Sequence, residues 1–204
     1  MPKNRFNEAE RYLITNWRQA CMVEDSMVEI RRKYAEIYDR VWEAVQAAHE
    51  DLDFHTTAVT QFWCEGYIGV GKKAWQKKHG EPPGIYVENL RLELLLDDNA
   101  EPPLIGVWTG TTKKPATDAA GLRQIVSAAG KLLAKDKFAR CEKSASDYAY
   151  VISYSLPETR QQLVEMLLDE DGQQFADCIV SHFEVLARLI PVLDKVFSKP
   201  AKPD

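Results

Sequence analysis

Residues 66–73 read GYIGVGKK, and the fold class depends on whether these glycines build a phosphate loop or belong to a strand and its end. A P-loop surrounds phosphates with consecutive backbone N–H groups, reaches the outer phosphate with its lysine and holds Mg²⁺ through a hydroxyl. Lys73 stands where that hydroxyl belongs. The loop also needs a following helix that aims its N-terminus at the phosphates and crosses back to a parallel strand. Gly80, Pro82 and Pro83 cut any such helix short. Asp97 and Asp98 offer a magnesium carboxylate, but only 25 residues separate Lys72 from Asp97, and LELLLDDNAEPPLIGVW at 92–108 reads as a hairpin. The segment is therefore read as a basic, glycine-rich turn at a strand end, with Gly69, Gly71, Lys72 and Lys73 as the anion-binding candidate.

Outward from this turn the chain reads as antiparallel strands. Residues 56–68 alternate with period two, as do Ile85–Leu96 with its leucines on one face, LIGVWTG at 104–110, and DYAYVISYSL at 147–156. Helices flank them. No glycine or proline occurs between Pro2 and Gly66, and positions 13, 16, 20, 23, 27, 30, 34, 37, 41, 44 and 48 step by three and four as a heptad seam does. Ser26 and Glu29 fit a capping box, which predicts helices over 8–23 and 27–51. Thr117 suits the N-cap of a helix to Lys135, Pro157 the first position of a helix to Asp169, and Gln173–Phe197 a last helix bent at Pro191. Its broad apolar stripe is expected to lie under the N-terminal helices.

This order predicts an α+β fold with a three- to four-stranded, mainly antiparallel sheet covered by helices, its long N-terminal and C-terminal amphipathic helices packed together. One domain over 1–197 is expected: a helical element at 7–51, a strand-rich core at 56–156 and C-terminal helices at 157–197, followed by a disordered tail at 198–204.

An apolar content of 45% and a charged content of 28% across 204 residues exclude wholesale disorder. The N-terminal residues lack a signal-peptide core, and no run approaches the roughly 20 apolar residues that span a bilayer, so a cytoplasmic protein without membrane contact is expected. Cys21, Cys64, Cys141 and Cys178 form no CxxC pair, which predicts reduced, mostly buried thiols. The net charge of −5 divides unevenly, with −4 over 1–65, +4 over 66–143 and −5 over 144–204. The basic middle places Trp75 among Lys77 and Lys78, with Lys131, Lys135, Lys137 and Arg140 further on, a mixture suited to stacking and phosphate contact.

Catalytic motifs are incomplete. Helix, three strands, helix, strand is the order of restriction-endonuclease-like cores, but the third strand, LIGVWTG, carries neither the carboxylate nor the lysine those nucleases need. His49 and His55 sit among Glu50, Asp51 and Asp53 without a zinc spacing. His182, on the apolar stripe, reads as a hydrogen-bonded core histidine, and neither Ser153 nor Cys178 lies in a nucleophile motif. No metal site and no cofactor are expected, and whether the chain catalyses anything stays open. The reading is a non-catalytic interaction or regulatory protein that binds another macromolecule, through a protein partner or by self-association. The alternative is a phosphate-handling protein, whether a nucleic-acid-binding or nuclease-like factor or a nucleotide-binding enzyme, that uses the turn at 66–73.

Overall fold

Alternation along the middle of the chain becomes a six-stranded sheet in which every pairing is antiparallel. The computed structural model describes residues 6–52, 54–58, 66–75, 83–109, 117–135, 142–143, 150–169 and 172–198, the second and sixth of these stretches by backbone alone. The expectations for Cys64, Lys77, Lys78, Lys137, Arg140, Cys141, Asp147 and the tail beyond Ser198 lie outside the described residues. The chain divides into two compact units, Met1–Glu36 and Ile37–Asp204.

The first unit is helical. Helix α1 spans Glu8–Thr15 and α2 spans Trp17–Ala48. Asn7 caps α1, its Oδ1 accepting from the Glu10 N–H at 2.9 Å while Glu10 accepts from the Asn7 N–H. The expected break at Ser26 falls instead at Asn16, whose side-chain amide donates to the Tyr12 carbonyl at 2.9 Å. Ser26 does not cap, because its hydroxyl donates back to the Met22 carbonyl at 2.8 Å within an unbroken helix.

In the second unit, strands β1 (Phe54–Ala58), β2 (Tyr67–Gly71), β3 (Gly84–Glu88), β4 (Leu104–Trp108), β5 (Glu142–Lys143) and β6 (Tyr150–Ser155) take the order β1-β2-β3-β4-β6-β5. The single strand expected over 56–68 is two, β1 and β2, paired antiparallel; the strands expected at 85–96, 104–110 and 147–156 correspond to β3, β4 and β6, and β5 extends the sheet beside β6. Register sets Ile68 and Val70 beside Val87 and Ile85, those beside Ile105 and Val107, and these beside Tyr154 and Ile152. This apolar face is buried, and the helices cover it.

The opposite face alternates glycine with aromatic side chains. A Cβ on Gly69 would lie 2.3 Å from the Tyr86 ring, and one on Gly106 2.6 Å from Tyr150. The rings of Tyr67, Tyr86, Trp108 and Tyr150 follow one another across the sheet at centroid spacings of 5.9, 6.3 and 5.0 Å. A β-bulge opposite Val107 and Trp108 brings Tyr150 to this glycine face, although strict alternation would keep it with Ile152.

Helix α3 (Leu92–Leu96) replaces the second half of the strand expected at 85–96. Asn89, at φ 62°, ends β3, and Arg91 in extended geometry starts the helix. Asp97 therefore follows a helix and not a strand. Arg160 donates to the carbonyls of Leu94 and Ala100, tying this turn to α5 (Arg160–Leu168). Helix α4 spans Ala119–Leu132 and is capped by Asp118, not Thr117. A Cβ on Gly121 would lie 2.1 Å from the Thr117 hydroxyl and 2.9 Å from Val196, so this glycine makes room for both side chains.

The expected bent helix over 173–197 is two helices, α6 (Gln173–Ala187) and α7 (Ile190–Phe197). Pro191 lies in the first turn of α7, where its missing N–H breaks no hydrogen bond. Phe175, Ile179, Phe183 and Leu186 of α6 are buried against β3, β4 and α5. The last turns of α2 join them, with Ile37 against Gly172 and the His49 ring 6.3 Å from Phe183. The sheet, α5 and the last turns of α2 thus cover this stripe within the second unit. Among the described residues no helix is long and apolar enough to cross a membrane.

Candidate functional site

The N-terminal helices present apolar side chains to solvent. Tyr12, Trp17 and Met22 are 67%, 65% and 62% exposed, and Leu13, Val23, Met27, Val28 and Ile30 are about half exposed or more. Helix α1 has no buried residue, and the only buried residues of α2 are Tyr38, Val41 and Val45, all beyond the first unit. The heptad positions explain how these groups align along α2, since steps of three and four keep Ala20, Val23, Met27 and Ile30 on one side of that helix. Within this unit Leu13, Trp17, Cys21, Glu24, Met27 and Val28 line a shallow groove, and Cys21 is a free thiol. Helical spacing made the seam legible in the sequence, but its exposure was not, because the same spacing serves a helix packed on its own core.

The glycine-rich segment has a different structure from the turn expected. Gly69 and Gly71 lie in β2, whose neighbours are β1 and β3, and an inner strand commits its N–H groups to the ladders on either side. Lys72 follows the strand and places its ammonium 2.7 Å from Asp194 of α7. Lys73 opens the 3₁₀ turn Lys73–Trp75 and is exposed. Trp75, expected on a basic stacking surface, is fully buried: its indole N–H donates to Asp194 at 2.9 Å and its ring lies 5.7 Å from that of Phe197. An indole so placed fills the core and offers no face to a base. Lys131 and Lys135 are exposed.

A second group of reactive side chains lies between β6 and α6. His182 is buried, with Nε2 3.1 Å from Glu158 Oε2 and Nδ1 3.5 Å from the Tyr154 hydroxyl. Cys178 is one helical turn before His182 on α6, and Glu158 lies just after β6 beside the Thr159 cap of α5. One donor atom from each of Glu158, Cys178 and His182 lies within 4.8 Å of the other two. Burial, and then the Glu158 carboxylate, push the Cys178 thiol up to about 12. It is therefore a neutral thiol at ordinary pH and not a nucleophilic thiolate. The spacing Cys-x-x-x-His on a helix was the one sequence signal for this group, since residues four apart share a face. Glu158 had none, being brought there by the turn from β6 into α5.

Comparison with protein-family models, curated proteins and solved structures finds no match to this chain.

Proposed function

We propose that the chain is a non-catalytic interaction or regulatory protein that docks through its N-terminal helices, and that the surface they dock on is the same helical segment of a second copy. The observation that carries this reading is the exposure of Leu13, Trp17, Val23, Met27 and Ile30 on helices that bury none of their residues before Tyr38. Fully burying one such side chain is worth roughly 1.5–3 kcal/mol, and these, about half exposed, have about half of that each left to drive association of two helices.

Three features favour a second copy over an unrelated surface. Heptad steps give a helix the stripe that a like helix matches. Ala20 and Cys21, both small and only part exposed, mark the middle of the stripe, where two helices approach closely. In an antiparallel pair centred there, the acidic first turn of α1, with Glu8 and Glu10, runs toward the end of the second copy that carries Arg31 and Lys33, so acidic and basic ends meet.

Oxidative cross-linking of the full chain tests the arrangement. A covalent dimer that forms through Cys21, and disappears in Cys21→Ser, is the expected result. Absence of any Cys21-dependent dimer while the protein remains folded overturns the antiparallel pairing.

A further inference from the structure

We propose that Glu158, Cys178 and His182 form a binding site for a thiophilic divalent cation of the Zn²⁺ class, with Tyr154 holding the histidine in place. Imidazole nitrogen, thiolate sulfur and carboxylate oxygen are the three donor types such a cation takes, whereas Ca²⁺ and Mg²⁺ call for oxygens alone. Donors on a tetrahedral centre lie roughly 3.5 Å apart, and these three, all within 4.8 Å of one another, reach that spacing by small side-chain rotations.

The surroundings are those of a metal-binding histidine. Such a ring almost always uses one nitrogen as ligand and the other to bond a fixed polar group. The Nδ1 of His182 lies against the Tyr154 hydroxyl, itself held in β6, and Nε2 is turned toward Glu158. Cys178 and His182 share a rigid helix face, and Glu158 is held between the end of β6 and the Thr159 cap. An ordinary buried histidine–carboxylate pair accounts for two of these groups but gives no reason for a thiol against the same carboxylate. Binding releases the thiol proton to solvent, while the neutral imidazole ligates through Nε2 and keeps its one proton on Nδ1, where it faces the Tyr154 hydroxyl oxygen. Cys178 and Glu158 are partly exposed, which leaves a path for the cation and a fourth position for water.

Cobalt titration of chelator-treated full-length protein tests the site, because Co²⁺ in a zinc site shows a thiolate charge-transfer band. One equivalent per chain, displaced by Zn²⁺, is expected. Cys178→Ser should lose the band with its circular dichroism unchanged, and Glu158→Gln should bind at least ~10-fold more weakly. A chain that shows no charge-transfer band, or one whose band survives Cys178→Ser, overturns the proposal. Should Cys178→Ser fail to fold, an unchanged cobalt affinity in Glu158→Gln overturns it equally.

Discussion

The ammonium of Lys72 lies 2.7 Å from Asp194, and the other oxygen of the same carboxylate accepts the indole N–H of Trp75. One carboxylate from the last helix thus joins the end of β2 to the 3₁₀ turn that follows it. The lysine that a phosphate loop would aim at its ligand is turned instead to a structural partner, and its ammonium lies 6.0 Å from the Trp75 ring centroid.

The two bonds of Asp194 separate by substitution. Asp194→Asn keeps an acceptor for the buried indole and weakens only the ion pair. That pair, with side chains 26% and 38% exposed, is partly screened by water, so a loss below about 1 kcal/mol is expected. Asp194→Ala strands the indole N–H and should cost about 1–3 kcal/mol. Urea denaturation of both variants checks the difference, and equal losses would show that the tryptophan bond adds nothing.

Gly69 faces the Tyr86 ring, with no room for a methyl group between them. Gly69→Ala should therefore destabilise the protein by about 1–3 kcal/mol. In a double-mutant cycle, Tyr86→Leu should relieve part of that loss, a coupling of about 0.5 kcal/mol or more. If the two losses add, the glycine serves something other than the ring above it.

Cys178 should resist alkylation in the metal-free protein. Its thiol is raised from an ordinary 9.0 to about 12, first by burial and then by Glu158. Because the folded value lies above the unfolded one, the thiol's contribution to stability is whole below pH 9.0 and is lost as pH rises toward about 12. Iodoacetamide labelling followed by mass spectrometry should find Cys178 nearly unmodified at pH 8 while Cys21 reacts. Glu158→Gln should quicken the Cys178 reaction. Equal rates at the two cysteines would contradict the environment described.

The parts of this structure that the sequence revealed are those set by local periodicity. The helical N-terminus, the alternating strands 104–108 and 150–155 and the apolar stripe of 173–197 all follow from spacing alone. What stayed hidden depended on distant partners. GYIGVGKK has the same letters in a phosphate loop and in an inner strand, and the difference is made by Tyr86 lying over Gly69 and by Asp194 bonding Lys72. LELLL alternates well enough for a strand, yet the left-handed Asn89 ends β3 before it. Of the cation site, Cys178 and His182 were readable as one helix face, while Glu158 arrives from 20 residues upstream.

Sedimentation equilibrium of the full chain, beside a Met27→Glu, Ile30→Glu variant, tests the docking surface most directly. Both positions are about half exposed, so the variant should fold normally. The account predicts a wild-type dimer and a monomeric variant at concentrations up to ~100 μM, where a 1 μM association is nearly complete. A wild-type chain that stays monomeric throughout that range, or a variant that dimerises as well as wild type, would contradict it.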